Sequence, residues 1–350
     1  MIKNYFKIAL RNLVKHKGYS FINIFGLTLG LTTSMLIFLY VQDEFSFDKM
    51  HKDANLIYRL ENWQQYDGNE SRWAATQGFL IPDVVGRYPE IQSAVRIMAN
   101  GSPETFNADN NFYNEQNVFY VDSSFFDVFS FKILYGDART ALDAPEKIVL
   151  TESAAIKYFG RPDPLESIIK RGNTPFRVSA IVEDVPNNSH FSFSMLIPMS
   201  EMHRRSPGLV NGRGSAVFYS YIKTLNEAAA ITLQAKLDKD VLEIMNIRDA
   251  SGEISPIEGL NVRQIMMPLT DIHLQGHAEK ELSSNGDGQY VYIFSTVALF
   301  ILIIASFNYM NLATARSTKR AKEVGMRKVL GAGKQQVFWQ FLSESFFFTA

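Results

Sequence analysis

The residues with the most overt chemical promise lie in Lys319–Gln336, KRAKEVGMRKVLGAGKQQ, whose Gly-Ala-Gly-Lys looks like the start of a phosphate loop. Such a loop needs Gly-x4-Gly-Lys-Ser/Thr, because glycines let backbone N–H groups wrap the phosphates and the hydroxyl ligates magnesium. Counting back from Gly333, Lys328 stands where the first glycine belongs, and Gln335 stands where the hydroxyl belongs. The spacing excludes ATP binding there. His273 and His277 are four apart, with Asp271 and Glu279 nearby, a metal-ligating spacing on a helix. Pro268–Leu274, however, alternates like a strand, Gly276 interrupts any helix, and no His-Glu-x-x-His occurs, so the pair reads as solvated loop histidines. Asn285-Gly-Asp-Gly-Gln289 holds only a fragment of a calcium loop's spaced oxygens. No Gly-x-Ser-x-Gly elbow exists, and the absence of cysteine excludes disulfides and thiolate chemistry. The many acids of the middle region read as an acidic solvated surface, with no pair set apart as general acid and base. No catalytic residue, metal or cofactor is therefore expected on this chain.

The elements that must carry these residues explain the charges better than chemistry does. The formal net charge of −1 conceals a segregation. Residues 1–41 hold five bases and no acid, residues 42–289 hold 23 bases and 34 acids, and residues 316–334 hold seven bases and one acid. Phe21–Val41 and Tyr290–Tyr309 are uncharged runs of 21 and 20 residues. As helices rising about 1.5 Å per residue, each spans the roughly 30 Å hydrocarbon layer. The first run is too long for a signal peptide and lacks a small-residue cleavage site before Gln42-Asp-Glu, so it reads as an uncleaved anchor. Bases before the first span and after the second put both flanks in the cytoplasm, and leave residues 42–289 extracytoplasmic. A nucleic-acid role for the basic run is set aside, since it abuts a span and has no interleaved aromatics before Phe338.

Residues 1–20 read as an amphipathic interfacial helix, with Lys3, Lys7, Arg11 and Lys15 recurring every four residues as membrane-interface bases against the bilayer. Gly26 and Gly30 form a Gly-xxx-Gly pair, a helix-packing signal in lipid. Between the spans, alternation in Leu56–Leu60, Phe176–Val182 and Val217–Ile222 predicts strands, and the spacing in Glu152–Phe159 and Ala228–Met245 predicts helices. The fold class is therefore membrane helical spans plus an extracytoplasmic α+β domain, two-lobed at this length. The expected division is 1–20, a first span at 21–41, the outer domain at 42–289, a second span at 290–312, a cytoplasmic segment at 313–336, and the start of a third span at 337–350.

Asn308–Ser317 (NYMNLATARS) followed by Lys319–Ala332 resembles the MacB/FtsX-like ABC transporter permease family, and so do Phe125–Phe131, Ile148–Glu152, Lys157–Gly160 and Val182–Pro186. The resemblance implies a periplasmic MacB-like core domain, with an inserted lobe near 100–205, and an FtsX-like permease domain cut short at Ala350. It implies that Glu323, Val324, Gly325, Arg327, Lys328 and Gly331 form a short coupling helix that docks on a separate ABC ATPase subunit, where ATP and magnesium bind. Closure of that ATPase would tilt the spans and move the outer domain, driving efflux or extraction of a substrate. Implied partners are a second permease half, as homodimer or pseudo-dimer, a periplasmic adaptor and an outer-membrane exit duct, with no nucleic acid. The same family includes lipoprotein-release and cell-wall-regulating members. The reading from another class is a bitopic sensor, two spans flanking a ligand domain, which calls for a signalling helix after the second span.

Overall fold

A computed structural model describes residues 17–108, 111–247, 252–255 and 257–329, with isolated positions beyond. Lys3, Lys7, Arg11, Lys15 and Gly331 lie outside the described residues, as do the expected interfacial helix and third span. Helix α1 (Lys17–Glu44) is followed by strands β1 (Ile57–Tyr66), β2 (Asn69–Trp73) and β3 (Thr76–Gln77), then helix α2 (Leu80–Arg87). Strands β4 (Ile91–Ala99), β5 (Glu104–Ala108), β6 (Asn111–Glu115) and β7 (Val118–Val121) precede the short helix α3 (Phe125–Val128) and strand β8 (Ile133–Gly136). Next come β9 (Lys147–Thr151), α4 (Glu152–Phe159), β10 (Ile168–Arg171), β11 (Thr174–Val182), β12 (Met195–Pro198), α5 (Met199–Arg205) and α6 (Pro207–Val210). The order closes with β13 (Ala216–Thr224), α7 (Glu227–Met245), β14 (Leu260–Pro268), α8 (Ile272–Gln275) and α9 (Gly288–Val329).

The chain divides into two compact units, one made of residues 1–45 with 288–350 and the other of residues 46–287. In the first, α1 and α9 each contain a stretch long and apolar enough to cross a membrane, Ile24–Glu44 and Gly288–Met310. Their large apolar side chains face outward: Phe21, Phe38 and Ile304 are each more than 60 % exposed. A helix apolar on every side is stable in hydrocarbon and costly in water.

The second unit is built on one mixed sheet in the order β14-β1-β13-β4-β7-β12-β9-β11-β10-β5-β6. The order is informative. Strands from residues 57–99 and 216–268 occupy one half, and strands from residues 104–198 occupy the other. The seam is the antiparallel pairing of β4 with β7, where Ile97 faces Val121. The segment 100–205 thus supplies a contiguous half of a continuous sheet and nearly all of one of its hydrophobic clusters, around Phe106, Tyr120, Ile148 and Phe176.

Local signals explain the helices. Thr151 Oγ1 accepts the N–H of Ala154 at the start of α4, and Gly160, at φ +66°, closes it in the left-handed region. Asn226 Oδ1 caps α7 in the same way, and Leu233, Leu237 and Val241 bury one face of it. Beneath the seam, Phe119, Phe125, Phe129, Phe131, Phe191 and Phe193 form one aromatic cluster. Full burial of each ring contributes about 1.5–3 kcal/mol.

Two expectations are corrected. The strand-like run after Pro268 is a 3-10 turn, Leu269–Asp271, followed by α8, because Leu269, Ile272 and His273 turn inward together. His273 is buried and lies flat on Phe47, with ring centroids 3.4 Å apart and planes at 2°, while His277 is exposed. The middle region's acids are not all solvated either: Asp48, Glu61, Glu115 and Glu201 are buried.

Candidate functional site

The two spans pack antiparallel, since positions in α9 fall as positions in α1 rise. Gly26 faces Asn308, Gly30 faces Ala305, Ser34 Oγ donates to the Ala298 carbonyl at 3.2 Å, and Tyr40 meets Phe294 edge-on at 5.7 Å. Glycine is required at 30, where a Cβ would sit 2.7 Å from the Ala305 Cβ. Beside this contact runs an open groove of about 670 Å³ lined by Gly26, Gly30, Thr33, Ile301, Ala305 and Asn308.

The apolar stretch of α9 ends at Met310, near the boundary expected at 312, but the helix does not end there. Helix α9 continues unbroken to Val329, a run of 42 residues. That is about 63 Å of helix, twice the hydrocarbon thickness. Glu323, Val324, Gly325, Arg327 and Lys328 therefore stand on the same rod as the span, with the backbone positions of Glu323 and Arg327 about one turn apart. The short separate helix implied by the resemblance is, over the described residues, the end of α9.

Between α1 and β1 the chain forms a first leg, residues 46–56, and between β14 and α9 a last leg, residues 269–287. Both legs converge on the loop between β11 and β12. Asn188 Nδ2 donates to Ser46 Oγ at 2.9 Å, and Asp48 N–H donates to the Asn188 carbonyl at 2.8 Å. The Ser189 hydroxyl and the His190 N–H both donate to Asp48 Oδ1, at 3.2 and 3.1 Å. From the last leg, the Ser283 hydroxyl donates to the His190 carbonyl at 2.7 Å. Phe47 on His273 joins the legs directly.

The centre of this junction is a buried polar group inside the phenylalanine cluster. His190 Nε2 lies 2.7 Å from the Tyr221 hydroxyl, and its Nδ1 lies 2.8 Å from Asp48 Oδ1 without the alignment of a hydrogen bond. Burial alone would raise the Asp48 pKa, but the His190 ring and N–H outweigh it and hold the carboxyl below its ordinary value. His51 Nδ1 accepts the Ser130 N–H at 3.2 Å, and burial between Phe129 and Phe131 pushes its pKa down to about 4.

A chain of ion pairs ties the last leg to the sheet. Arg59, wholly buried on β1, contacts Glu61 Oε1 at 2.6 Å and both Glu281 oxygens at 2.5 and 2.7 Å. Arg72 closes on the other Glu61 oxygen at 2.5 Å. In the inserted half, Arg171 bridges Glu104 and the buried Glu201 while lying over the Tyr120 and Phe176 rings. Sequence reading missed all of these, because partners such as Arg59 and Glu281 are 222 positions apart. The one local signal was alternation in β1: Arg59 and Glu61 occur in a strand whose neighbours Ile57 and Leu60 are also buried, so both faces are covered. Among the described residues no cluster of His, Cys, Asp and Glu has the geometry to hold a metal ion.

Residues 20–240 match the family of the MacB-like periplasmic core domain, and residues 295–350 match the FtsX-like permease C-terminal family. The macrolide export ATP-binding/permease protein MacB of Aggregatibacter actinomycetemcomitans is 22 % identical over 97 % of this chain and 50 % of its own length. The chain thus spans about half the length of that relative. YvrN of Bacillus subtilis, an ABC transporter permease by name, is 21 % identical over 98 % of this chain and 83 % of its own length. The solved domain of a permease protein from Porphyromonas gingivalis superposes with a TM-score of 0.52 at 18 % identity, covering 62 % of this chain and 91 % of that one. That likeness bears on the fold of the outer unit.

Proposed function

The chain belongs to the MacB/FtsX-like ABC transporter permease family, and from that premise we propose that it is a transmembrane subunit through which a separate ATPase moves a periplasmic domain. The observation that carries the reading is α9, one unbroken helix joining the exit of the outer unit, the second span and the segment around Glu323. A rigid helix transmits displacement along its length without losing it at a joint. Ion pairs and apolar anchors at such an end fix the register of a docked partner more than they add affinity. The antiparallel spans and the bases flanking both of them support a cytoplasmic N-terminus and an inner-membrane location with the 46–287 unit in the periplasm.

In this proposal the chain is not the enzyme. ATP and magnesium bind the partner, since Gly331–Lys334 lacks phosphate-loop spacing. No Asp, Glu, Lys, Arg or His falls within Phe21–Val41 or Tyr290–Tyr309, which favours mechanical transmission over a charged solute path through this chain. The substrate is exported or extracted on the periplasmic side, with a second permease half completing the assembly; an adaptor and an outer-membrane duct are further proposed partners.

The test is co-purification of the complete protein with the ATPase encoded beside it, comparing wild type with the Glu323→Ala/Arg327→Ala double variant. Weakened association and loss of stimulated ATP turnover are expected. Unchanged association together with unchanged turnover refutes the coupling role.

A further inference from the structure

The groove between α1 and α9 has two unlike ends. It runs from Thr33 and Ile301 to Gly26 and Asn308, about 10 Å along the helix axes. Its lining is apolar apart from Thr33 and Asn308, and Leu29, Ile304 and Phe307, each more than half exposed, stand along it. At about 670 Å³ it falls within the roughly 300–1,000 Å³ of small-molecule sites, and its chemistry suits a hydrocarbon chain. A groove set in two membrane spans opens on the acyl chains of lipids, so such a chain is always at hand.

What lies past the Asn308 end selects among lipids. The apolar stretch of α9 ends at Met310, and Arg316, Lys319, Arg320 and Lys322 follow on the same helix before Glu323. Eleven residues make three turns and bring a helix back to within about 20°. Arg316 therefore continues the row of Ala305, and Lys319 continues the row of Asn308, both of which line the groove. Their backbone positions stand about 9 and 13 Å past Met310. Arginine and lysine near the end of a span reach back to the headgroup layer along their apolar stems. A second copy of the chain is a poor occupant for the same reason, because it would bring its own bases to this end, like charge against like.

We infer that the groove is a binding site for an anionic phospholipid, with one acyl chain between α1 and α9 and the headgroup phosphate at Arg316 and Lys319. The small residues Gly26, Gly30 and Ala305 leave the room for the chain, and the two bases choose the headgroup. The site rests on α1 and α9 being membrane spans and on nothing about an ATPase, so a failure of the coupling role leaves it standing.

The full-length protein, purified in mild detergent, is incubated with equal amounts of phosphatidylglycerol and phosphatidylcholine and read by native mass spectrometry. The wild type is expected to retain phosphatidylglycerol at least about tenfold better. Arg316→Gln/Lys319→Gln is expected to cut that retention about 25-fold, at roughly fivefold per base. Thr33→Leu crowds the groove and leaves every base in place, and it is expected to cut retention at least about threefold. Equal retention of the two lipids overturns the inference. So does a Thr33→Leu variant that holds phosphatidylglycerol as the wild type does, since the bases alone then bind it.

A second measurement does not depend on those variants. The chain has no cysteine, so a nitroxide on Leu29→Cys or on Phe38→Cys reports a single position in lipid nanodiscs. Leu29 lines the groove, and Phe38 is 63 % exposed on the same helix. Oxygen, an apolar gas, concentrates in hydrocarbon and is expected to reach the two labels to within about twofold. A Leu29 label shielded beyond that means that another helix covers the groove, and this overturns the inference.

Discussion

Replacing Arg59 with Met removes the guanidinium while keeping most of its volume. Four close contacts go with it: Nε and Nη2 to Glu61 Oε1 at 3.0 and 2.6 Å, and Nη1 and Nη2 to the Glu281 oxygens at 2.5 and 2.7 Å. The two carboxylates then fare differently. Glu61, fully buried, keeps Arg72 on its other oxygen, whereas Glu281, 14 % exposed at its side chain, loses both Arg59 contacts. Breaking a buried pair from one side costs about 3–5 kcal/mol, and the retained Arg72 places this case near the lower end. For a domain of this size each kcal/mol moves Tm by about 2–4 °C, so Arg59→Met is expected to lower Tm by about 6–12 °C. The assay is thermal unfolding of residues 46–287 followed by circular dichroism. Glu281→Gln keeps an acceptor for Arg59 and is expected to cost only about 1 kcal/mol. A fall of less than 2 °C in Arg59→Met, or a larger loss in Glu281→Gln, would refute the argument that the pairing and not the volume of Arg59 holds the last leg.

Gly30→Leu drives a side chain into Ala305 and is expected to cost the span pair about 1–3 kcal/mol, read as accelerated unfolding of the full-length protein in detergent. Ala305→Gly should recover part of that loss. Gly160→Ala adds a Cβ that meets no atom within 4 Å, so only the φ of +66° opposes it; a loss of about 1 kcal/mol is expected in denaturant titration of the outer unit. His51 is neutral in the folded unit down to about pH 4, but it takes up a proton near pH 6.5 when unfolded. The unfolded state then binds more protons between those values, and stability falls as pH drops from 6.5 to 4, by about 3 kcal/mol in all. Asp48, held below its ordinary value, adds its own loss at pH values under 3.8. In His51→Gln the slope between pH 6.5 and 4 should flatten, as measured by urea midpoints across that range.

Much of the architecture was legible because it is written locally. Two uncharged runs gave the spans, alternation gave β1, β11 and β13, and the cap-to-glycine pattern of Thr151–Gly160 gave α4. Where one residue serves two readings, the local pattern failed. Pro268–Leu274 alternates, yet a 3-10 turn and a helical turn bring Leu269, Ile272 and His273 inward together, where a strand would put Leu269 and Ile272 on opposite faces. The junction was illegible for another reason. Asp48, His190, Tyr221 and Ser283 come from four separate stretches, and each alone is an ordinary polar residue. Only the closing of the sheet brings them into one apolar enclosure, where the His190 ring and N–H keep Asp48 ionised in spite of its burial.

The unbroken course of α9 also fixes an angle. Each residue of an α-helix turns the rod by about 100° and lengthens it by about 1.5 Å, so the outer end near Gly288 and the far end near Arg327 have a set rotational phase. One residue inserted between 311 and 318 would swing the far end by about 100° while moving it along the axis by only 1.5 Å. Seven residues would return it to within about 20° but carry it roughly 10 Å further out. A device that works by pushing tolerates the first change better, and one that works by twisting tolerates the second. The helix therefore carries in its own geometry the means of telling torque from thrust.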